Sequence, residues 1–313
     1  MAKMKAVCLE HFGGPEALQL EEIERPTPKD DELLIRVRAA SVNPVDYKIR
    51  SGHYPPVKES SLPKVLGRDV AGVVVARGAS VSTFIDGDEV FAMLDGGPGG
   101  YAEYVTVPAD LCQRKPENLD FAEAAAVPLA AITAWQGLFD HGGLLGGQRV
   151  LIHGGAGGVG HFAVQFAKAR DAVVITTCSA NDKDFVRSLG ADQVIDYKAE
   201  RFEDLVSEVD LVFDLVAGDA QERSWAVLKD GGTMISTLAR PSERQAHQHH
   251  ARAMNYVAKP NAEELGEIAH LITERKVHPH VEARLPLQEV QAAHRKLENE
   301  HPRGKIVLEM QTR

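Results

Sequence analysis

A chain of 313 residues exceeds what one hydrophobic core usually organises, which predicts two domains. Its apolar content of 44% is ordinary for a globular protein, and a formal net charge of −10 without a Lys/Arg block argues against a nucleic-acid partner. Cys8, Cys112 and Cys178 are odd in number and far apart, which speaks for a reducing compartment rather than a disulfide framework. No apolar run reaches the ~18 residues of a membrane span, and Met1–Lys5 lack the apolar stretch of a secretory signal, so the expected location is cytoplasmic.

The first 116 residues read as short strands broken by Gly and Pro, a compact β barrel or sandwich. Strands are expected over 33–39, 70–76, 89–93 and 101–107. Asn43-Pro44 reads as a turn cap. Tyr47 and Tyr54 either line a pocket or are amphipathic surface residues. The Gly-rich segment Asp95–Gly100 suits a mobile lid or a plain hairpin connection equally well.

From Phe121 the texture changes to Ala-rich helices and then to alternating strands and helices. Apolar Arg149–Ile152 leads into His153-Gly154-Gly155-Ala156-Gly157-Gly158-Val159-Gly160, in which Gly155, Gly157 and Gly160 spell G-x-G-x-x-G. Val159, Phe162, Ala163, Phe166 and Ala167 then repeat at helical spacing, predicting one buried face. Val173–Thr177 reads as a buried parallel strand. Strand, glycine turn, helix and strand together predict a dinucleotide site, with the pyrophosphate at the helix N-terminus.

An acid about 20 residues beyond the glycines usually binds the ribose 2′-hydroxyl of NAD. Here Thr177-Cys178-Ser179-Ala180 offers none, and Lys183 and Arg187 follow, so NADPH is favoured over NADH. Asp182 and Asp184 dilute that charge. Further strands are expected over Asp210–Val216 and Thr233–Leu238, with Val216 and Leu238 at their carboxyl ends where ligands cross an open sheet. The His247–His250 cluster lacks an acid or Cys to complete a metal set and reads as a polar loop. Met254–Val257 is expected to be the sheet's last strand. Helices near 262–275 and 287–297 and a strand over 305–308 close the chain and are expected to return to the first domain.

The stretches Ala40–Asp46, Gly67–Gly72, Asp86–Phe91, Val150–Gly160, Leu189–Asp192, Val194–Tyr197 and Gly304–Val307, in this order, resemble the zinc-independent quinone oxidoreductases of the medium-chain dehydrogenase/reductase superfamily, including the plant alkenal and enone reductases. The resemblance implies an α/β plus β protein: a GroES-like barrel domain, residues 1–121 and 263–313, and a doubly wound Rossmann domain, residues 122–262. It implies NADPH held by Thr133, Gly155, Ala156, Gly157, Gly158, Val159, Gly160, Ser179, Lys183, Tyr197, Val216 and Leu238. It places Asn43 beside nicotinamide and substrate, with Lys48 reaching cofactor or substrate; Lys48 also reads as a solvated surface lysine. Tyr47 is a candidate proton donor. Relatives with catalytic zinc carry Cys where this chain has Asn43, and His-Glu where it has Arg68-Asp69, so no metal is expected.

The reaction so implied is hydride transfer from NADPH to a quinone or to the C=C of an α,β-unsaturated carbonyl, with Asn43 and Lys48 stabilising the oxyanion. Quinone and alkene reduction share this chemistry and the motifs do not separate them. The competing readings are an NADPH-binding protein with little turnover, serving as a sensor, scaffold or RNA-binding protein, and an enoyl-thioester reductase. A homodimer through the Met254–Val257 edge is also implied.

Overall fold

The computed structural model describes residues 2–311, which divide into two compact units. Among the described residues the first holds 2–129, 260–273 and 279–311, and the second holds 130–259 and 274–278. The boundary thus falls inside a helix at 129/130, rather than at the change of texture near Phe121.

In the first unit, β1 (Lys3–Leu9) pairs with β2 (Leu18–Glu24) and β4 (Lys64–Val65). Between them in sequence lies β3 (Glu32–Val42), which anchors a larger sheet. The rest of that sheet is β5 (Asp69–Arg77), β6 (Glu89–Met93), β7 (Tyr104–Pro108) and β8 (Cys112–Arg114), joined by β15 (Val281–Pro286) and β16 (Lys305–Glu309) from the end of the chain. The order is β15-β16-β3-β5-β6-β8, with β7 also on β3. Helices α1 (Pro44–Arg50), α2 (Phe121–Ala125), α8 (Ala262–Thr273) and α9 (Val290–Asn299) complete the unit. One apolar cluster, including Val7, Leu33, Ile35, Val70, Val90, Ile306 and Leu308, fills its interior. The strand expected over 101–107 begins only at Tyr104. Tyr101 is fully buried and so reads as apolar, but it lies in a bend whose carbonyl accepts from Val7 N at 2.8 Å.

In the second unit, β9 (Arg149–His153), β10 (Val173–Cys178), β11 (Gln193–Asp196), β12 (Val209–Asp214), β13 (Leu228–Ser236) and β14 (Arg252–Asn255) form a parallel sheet ordered β11-β10-β9-β12-β13-β14. This is the doubly wound order, reversing direction beside β9. The helices are α3 (Pro128–Trp135, spanning the boundary), α4 (Gly160–Ala169), α5 (Lys183–Ser188), α6 (Asp219–Arg223) and α7 (Glu243–Gln248). Leu151, Ile175, Val212, Trp225 and Met234 belong to its core.

Three expectations need correction here. Residues 160–167 of α4 are buried on every side, not on one face. Its polar members tolerate this because His161 Nδ1 meets Gly157 O at 3.1 Å and Gln165 donates to the His161 and His278 carbonyls at 2.8 and 3.0 Å. The last strand is Arg252–Asn255, not Met254–Val257; Tyr256 turns inward, its hydroxyl donating to Thr133 O, and Val257 is 72% exposed. β12 and β13 stop two residues before Val216 and Leu238. Asp214 Oδ1 accepts from the amides of Val216 and Ala217 at 3.0 and 2.8 Å, and Ser236 Oγ accepts from those of Leu238 and Ala239 at 3.2 and 3.3 Å. These side chains turn the backbone out of the sheet.

Candidate cofactor-binding and active site

The glycine turn follows β9, and the surroundings of Gly154, Gly155 and Gly160 show why glycine stands at those three positions. Gly154 has φ +79°, a left-handed conformation that other residues rarely adopt. A Cβ on Gly155 would come within 2.1 Å of Thr176 Oγ1, and one on Gly160 within 2.1 Å of Gly154 O. A Cβ on Gly157 would meet nothing closer than Gly154 O at 3.5 Å. So Gly155 and Gly160 are fixed by the protein's own packing, whereas a side chain at Gly157 would have room. That position lies at the N-terminus of the ten-residue α4, the positive end of a helix, where a pyrophosphate is favoured.

Ser179, Lys183 and Tyr197 gather at the ends of β10 and β11. Cys178 pairs in register with Asp196, and Tyr197 N donates to Cys178 O at 3.2 Å. The Tyr197 ring is exposed, with Lys198 Nζ 5.7 Å from its centroid. Ser179 Oγ donates to Asp182 Oδ2 at 2.6 Å, and Lys183 pairs with Glu200 at 2.9 Å. Two acids thus already engage the groups expected to meet a 2′-phosphate. The sequence counted the absence of an acid on β10 itself, and this folding-back of Asp182 was not legible there.

Val216 and Leu238 are exposed apolar residues on this same carboxyl-terminal rim. Asp214 organises the rim: its Oδ2 accepts from Ser236 Oγ and Gln221 Nε2, both at 2.8 Å, and Gln221 reaches on to Ala239 O at 3.0 Å. Thr133 is buried, and its carbonyl accepts the Tyr256 hydroxyl.

In the first unit Asn43 is the N-cap of α1 and only 1% exposed. Its Nδ2 donates to Asp69 Oδ2 at 2.8 Å and lies 3.3 Å from Ser41 Oγ, while its Oδ1 accepts from Lys305. Lys305 Nζ also donates to Val42 O at 3.3 Å and lies 3.9 Å from Asp69 Oδ2. Asp69 Oδ1 accepts from Leu129 N at 2.7 Å. The expectation of a free Asn43 donor is therefore corrected: its amide is committed inside a buried Ser41–Asn43–Asp69–Lys305 cluster. Burial pushes the Lys305 ammonium pKa down, and Asp69 and Asp46 act against that shift.

A second buried set adjoins it. Asp46 Oδ2 accepts from Asn43 N at 2.8 Å and from Tyr101 Oη at 2.9 Å, whereas Oδ1 has no partner. Burial raises the Asp46 carboxyl to about 6. Tyr101 Oη is 3.5 Å from His294 Nε2, and Arg50 reaches His294 Nδ1 at 3.2 Å and Glu298 at 2.7 and 3.0 Å. Burial, with the Arg50 charge, pushes His294 down to about 3.

Lys48 and Tyr47 lie on α1, both half-buried. Among the described residues the Lys48 ammonium has no ion pair, and burial with the nearby Glu298 raises the Tyr47 phenol. Tyr54 packs against the barrel core. The Asp95–Gly100 segment is tied down: Lys64 Nζ donates to the Gly96 and Gly97 carbonyls at 2.8 and 3.0 Å, and Gly99 has no room for a Cβ beside Val65 O and Leu66 O. It is a pinned connection rather than a lid. In the histidine cluster, His250 Nδ1 sits 2.8 Å from Asp230 Oδ1 and His249 stacks on Trp225.

Residues 29–117 match the family profile described as alcohol dehydrogenase GroES-like domain, and residues 189–308 match that described as zinc-binding dehydrogenase. A 2-methylene-furan-3-one reductase of Solanum lycopersicum is 37% identical, with 98% of this chain and 79% of that protein covered. An NADPH-dependent alkenal/one oxidoreductase of Arabidopsis thaliana is also 37% identical, with the same coverage. The solved quinone oxidoreductase from Coxiella burnetii superimposes over 100% of both chains at 38% identity and a TM-score of 0.92. The chain belongs to the quinone oxidoreductase and enone reductase group of the medium-chain dehydrogenase/reductase superfamily. Its members share the GroES-like and Rossmann pairing seen here, and relatives of the group are NAD(P)H-dependent oxidoreductases.

One profile description names zinc, and the residues at the corresponding place do not fit it. Asn43 is spent on Asp69 and Lys305, Arg68 Nε donates to Leu94 O at 2.8 Å, and the Lys305 ammonium already supplies the positive charge beside Asp69. Zinc prefers converging thiolate, imidazole or carboxylate ligands. Among the described residues no group of three or more His, Cys, Asp or Glu side chains is arranged to hold a metal.

Sequence reasoning missed Asp69 and Lys305 as partners, and it missed Asp46, Tyr101, His294 and His153 altogether. The available signal was a charged residue at the start of a buried strand: Asp69 opens β5 and Lys305 opens β16, and both are followed by unbroken apolar runs.

Proposed function

We propose that this chain is an NADPH-dependent reductase that delivers hydride to a quinone or to the C=C of an α,β-unsaturated carbonyl without zinc. The observation that carries the reading is the glycine turn, in which Gly155 and Gly160 are closed by packing while Gly157 has room for more than a hydrogen. Residues Ala156 to Val159 and the α4 amides would hold the pyrophosphate, and Ser179, Lys183 and Tyr197 the 2′-phosphate. Val216, Leu238 and Thr133 would line the path toward the nicotinamide. When bound, NADPH supplies the hydride.

The chain's own residues then bind, orient and move protons. With the Asn43 amide committed to Asp69, the unpaired Lys48 ammonium is the charge available to a developing oxyanion. Tyr47 is the hydroxyl nearest to it in sequence and the proposed proton source. Asn43, held rigid by Lys305 and Asp69, fixes the start of α1 and so the direction in which Tyr47 and Lys48 project. For NADPH rather than NADH, Lys183 must exchange Glu200, and Ser179 must exchange Asp182, for the phosphate.

The test is a set of initial rates with NADPH and NADH over quinones, alkenals and enones, with each product identified. Activity confined to NADH would overturn the cofactor assignment, and no turnover of any acceptor despite tight NADPH binding would favour a sensor or scaffold. We further propose a cytoplasmic homodimer through the outer edge of β14. No helix among the described residues is long and apolar enough to cross a membrane.

A further inference from the structure

His153 ends β9 one residue before the glycine turn, and its ring is buried. Nδ1 lies 3.1 Å from Thr177 Oγ1, and Nε2 lies 2.7 Å from Ser224 Oγ. Ser224 Oγ is also 2.7 Å from Ala220 O. A carbonyl only accepts, so the single hydroxyl hydrogen of Ser224 is committed to Ala220. With the hydroxyl hydrogen directed to Ala220, Nε2 carries the ring proton and donates to Ser224. Nδ1 is left bare and accepts from the Thr177 hydroxyl. Thr177 Oγ1 in turn accepts, at 3.3 Å, from the Gly154 amide, which also points at Thr177 O at 3.1 Å.

Every bond in this chain runs the same way: Gly154 N–H to Thr177, Thr177 O–H to His153, His153 Nε2–H to Ser224, Ser224 O–H to Ala220. Its two ends are the two turns that shape the carboxyl-terminal rim beside β9. Gly154 opens the glycine turn in a left-handed conformation. Ala220 stands in α6, just after Ala217 and Gly218, whose φ values of 60° and 65° are also left-handed. The turns touch, since a Cβ on Gly154 would lie 3.1 Å from Val216 Cγ1. The ring stays neutral because burial drives its pKa down to about 4; Arg223 adds to that shift and Asp214 opposes it, and Phe202 packs edge-on at 4.9 Å.

We propose that His153, held as its Nε2–H tautomer, is a positioning residue that locks the glycine turn and the 215–220 turn into one dinucleotide-binding surface. The inference rests on the NADPH reading above. Two measurements test it. Long-range ¹H–¹⁵N correlation of the His153 ring should show a protonated Nε2 and a bare Nδ1, unchanged from pH 6 to 8; a protonated Nδ1 would overturn the chain.

NADPH titration should then show affinity weakened about tenfold in His153→Leu and in Ser224→Ala, each of which leaves a buried donor or acceptor unmatched. In both, KM for NADPH should rise far more than kcat falls. His153→Gln, which keeps one donor and one acceptor, should recover most of the loss. Ser224→Ala covers the case in which His153→Leu does not fold. Wild-type protein that fails to bind NADPH would overturn the functional reading and this one with it. Wild-type binding that the Leu and Ala variants match would overturn only the role of His153.

Discussion

At the scale of single residues, the buried charges make the sharpest predictions. Lys305→Met leaves Asp69 buried beside Asn43 without its cation. Breaking a buried pair by removing one partner typically costs about 3–5 kcal/mol, so urea unfolding should show a loss of that order. A stability equal to wild type would contradict a stabilising Lys305–Asp69 pair. Asp46 gives a pH signature. Its carboxyl is raised to about 6 from 3.8, so the folded state favours the protonated form. Its contribution is therefore present below pH 4 and is lost as pH rises through 6. Asp46→Asn removes this titration, and its stability relative to wild type should improve by about 2 kcal/mol between pH 4 and pH 7. Chemical denaturation at several pH values measures it; a pH-independent difference would contradict burial of the charged form. Neither effect was legible in the sequence. Asn43 and Lys305 were both visible in local motifs, but that the amide is bound inside the fold depends on a contact across 262 positions.

At the scale of elements, the β9–α4 turn was the most legible part of the chain, because the contacts that exclude a side chain at Gly155 and Gly160 are local or come from the adjacent strand. Gly155, Gly157 and Gly160 should respond differently. Gly155→Ala and Gly160→Ala place a methyl against Thr176 and against the backbone of Gly154, and both should lower the melting temperature sharply. Gly157→Ala should leave the melting temperature nearly unchanged and weaken NADPH binding about tenfold or more. If all three variants lose stability alike, the room at Gly157 is wrong. In the next turn Ala217 holds φ +60°, and Ala217→Gly should stabilise the protein by about 0.5–1 kcal/mol in the same unfolding assay. The ends of β12 and β13 were misread for a physical reason. Apolar Val216 and Leu238 continue the strand pattern, but Asp214 and Ser236 capture the following amides and turn the chain outward.

At the scale of the whole molecule, the two fold classes were legible from texture, since short Gly- and Pro-punctuated strands give way to alternating strands and helices. The boundary at 129/130 was not, because α3 runs through it without any change of composition. The outer edge of β14 makes the assembly testable. Met254→Lys places a charge on that strand, and sedimentation should show the proposed dimer reduced to monomer with the fold retained. A dimer unaffected by the substitution would move the interface elsewhere.

The placement of β16 bears on how the protein is made. This strand lies between β15 and β3, so it is an interior member of a sheet whose other long strands were synthesised some two hundred residues earlier. The second unit, nearly continuous in sequence, can close on the ribosome while the first still waits with the Ala39–Val42 end of β3 lacking β16 and Asp69 lacking its cation. The first unit therefore cannot complete its sheet until the end of the chain has been made. The domain that emerges first is the one that finishes last, and a stall anywhere before residue 305 leaves a barrel that is open and aggregation-prone.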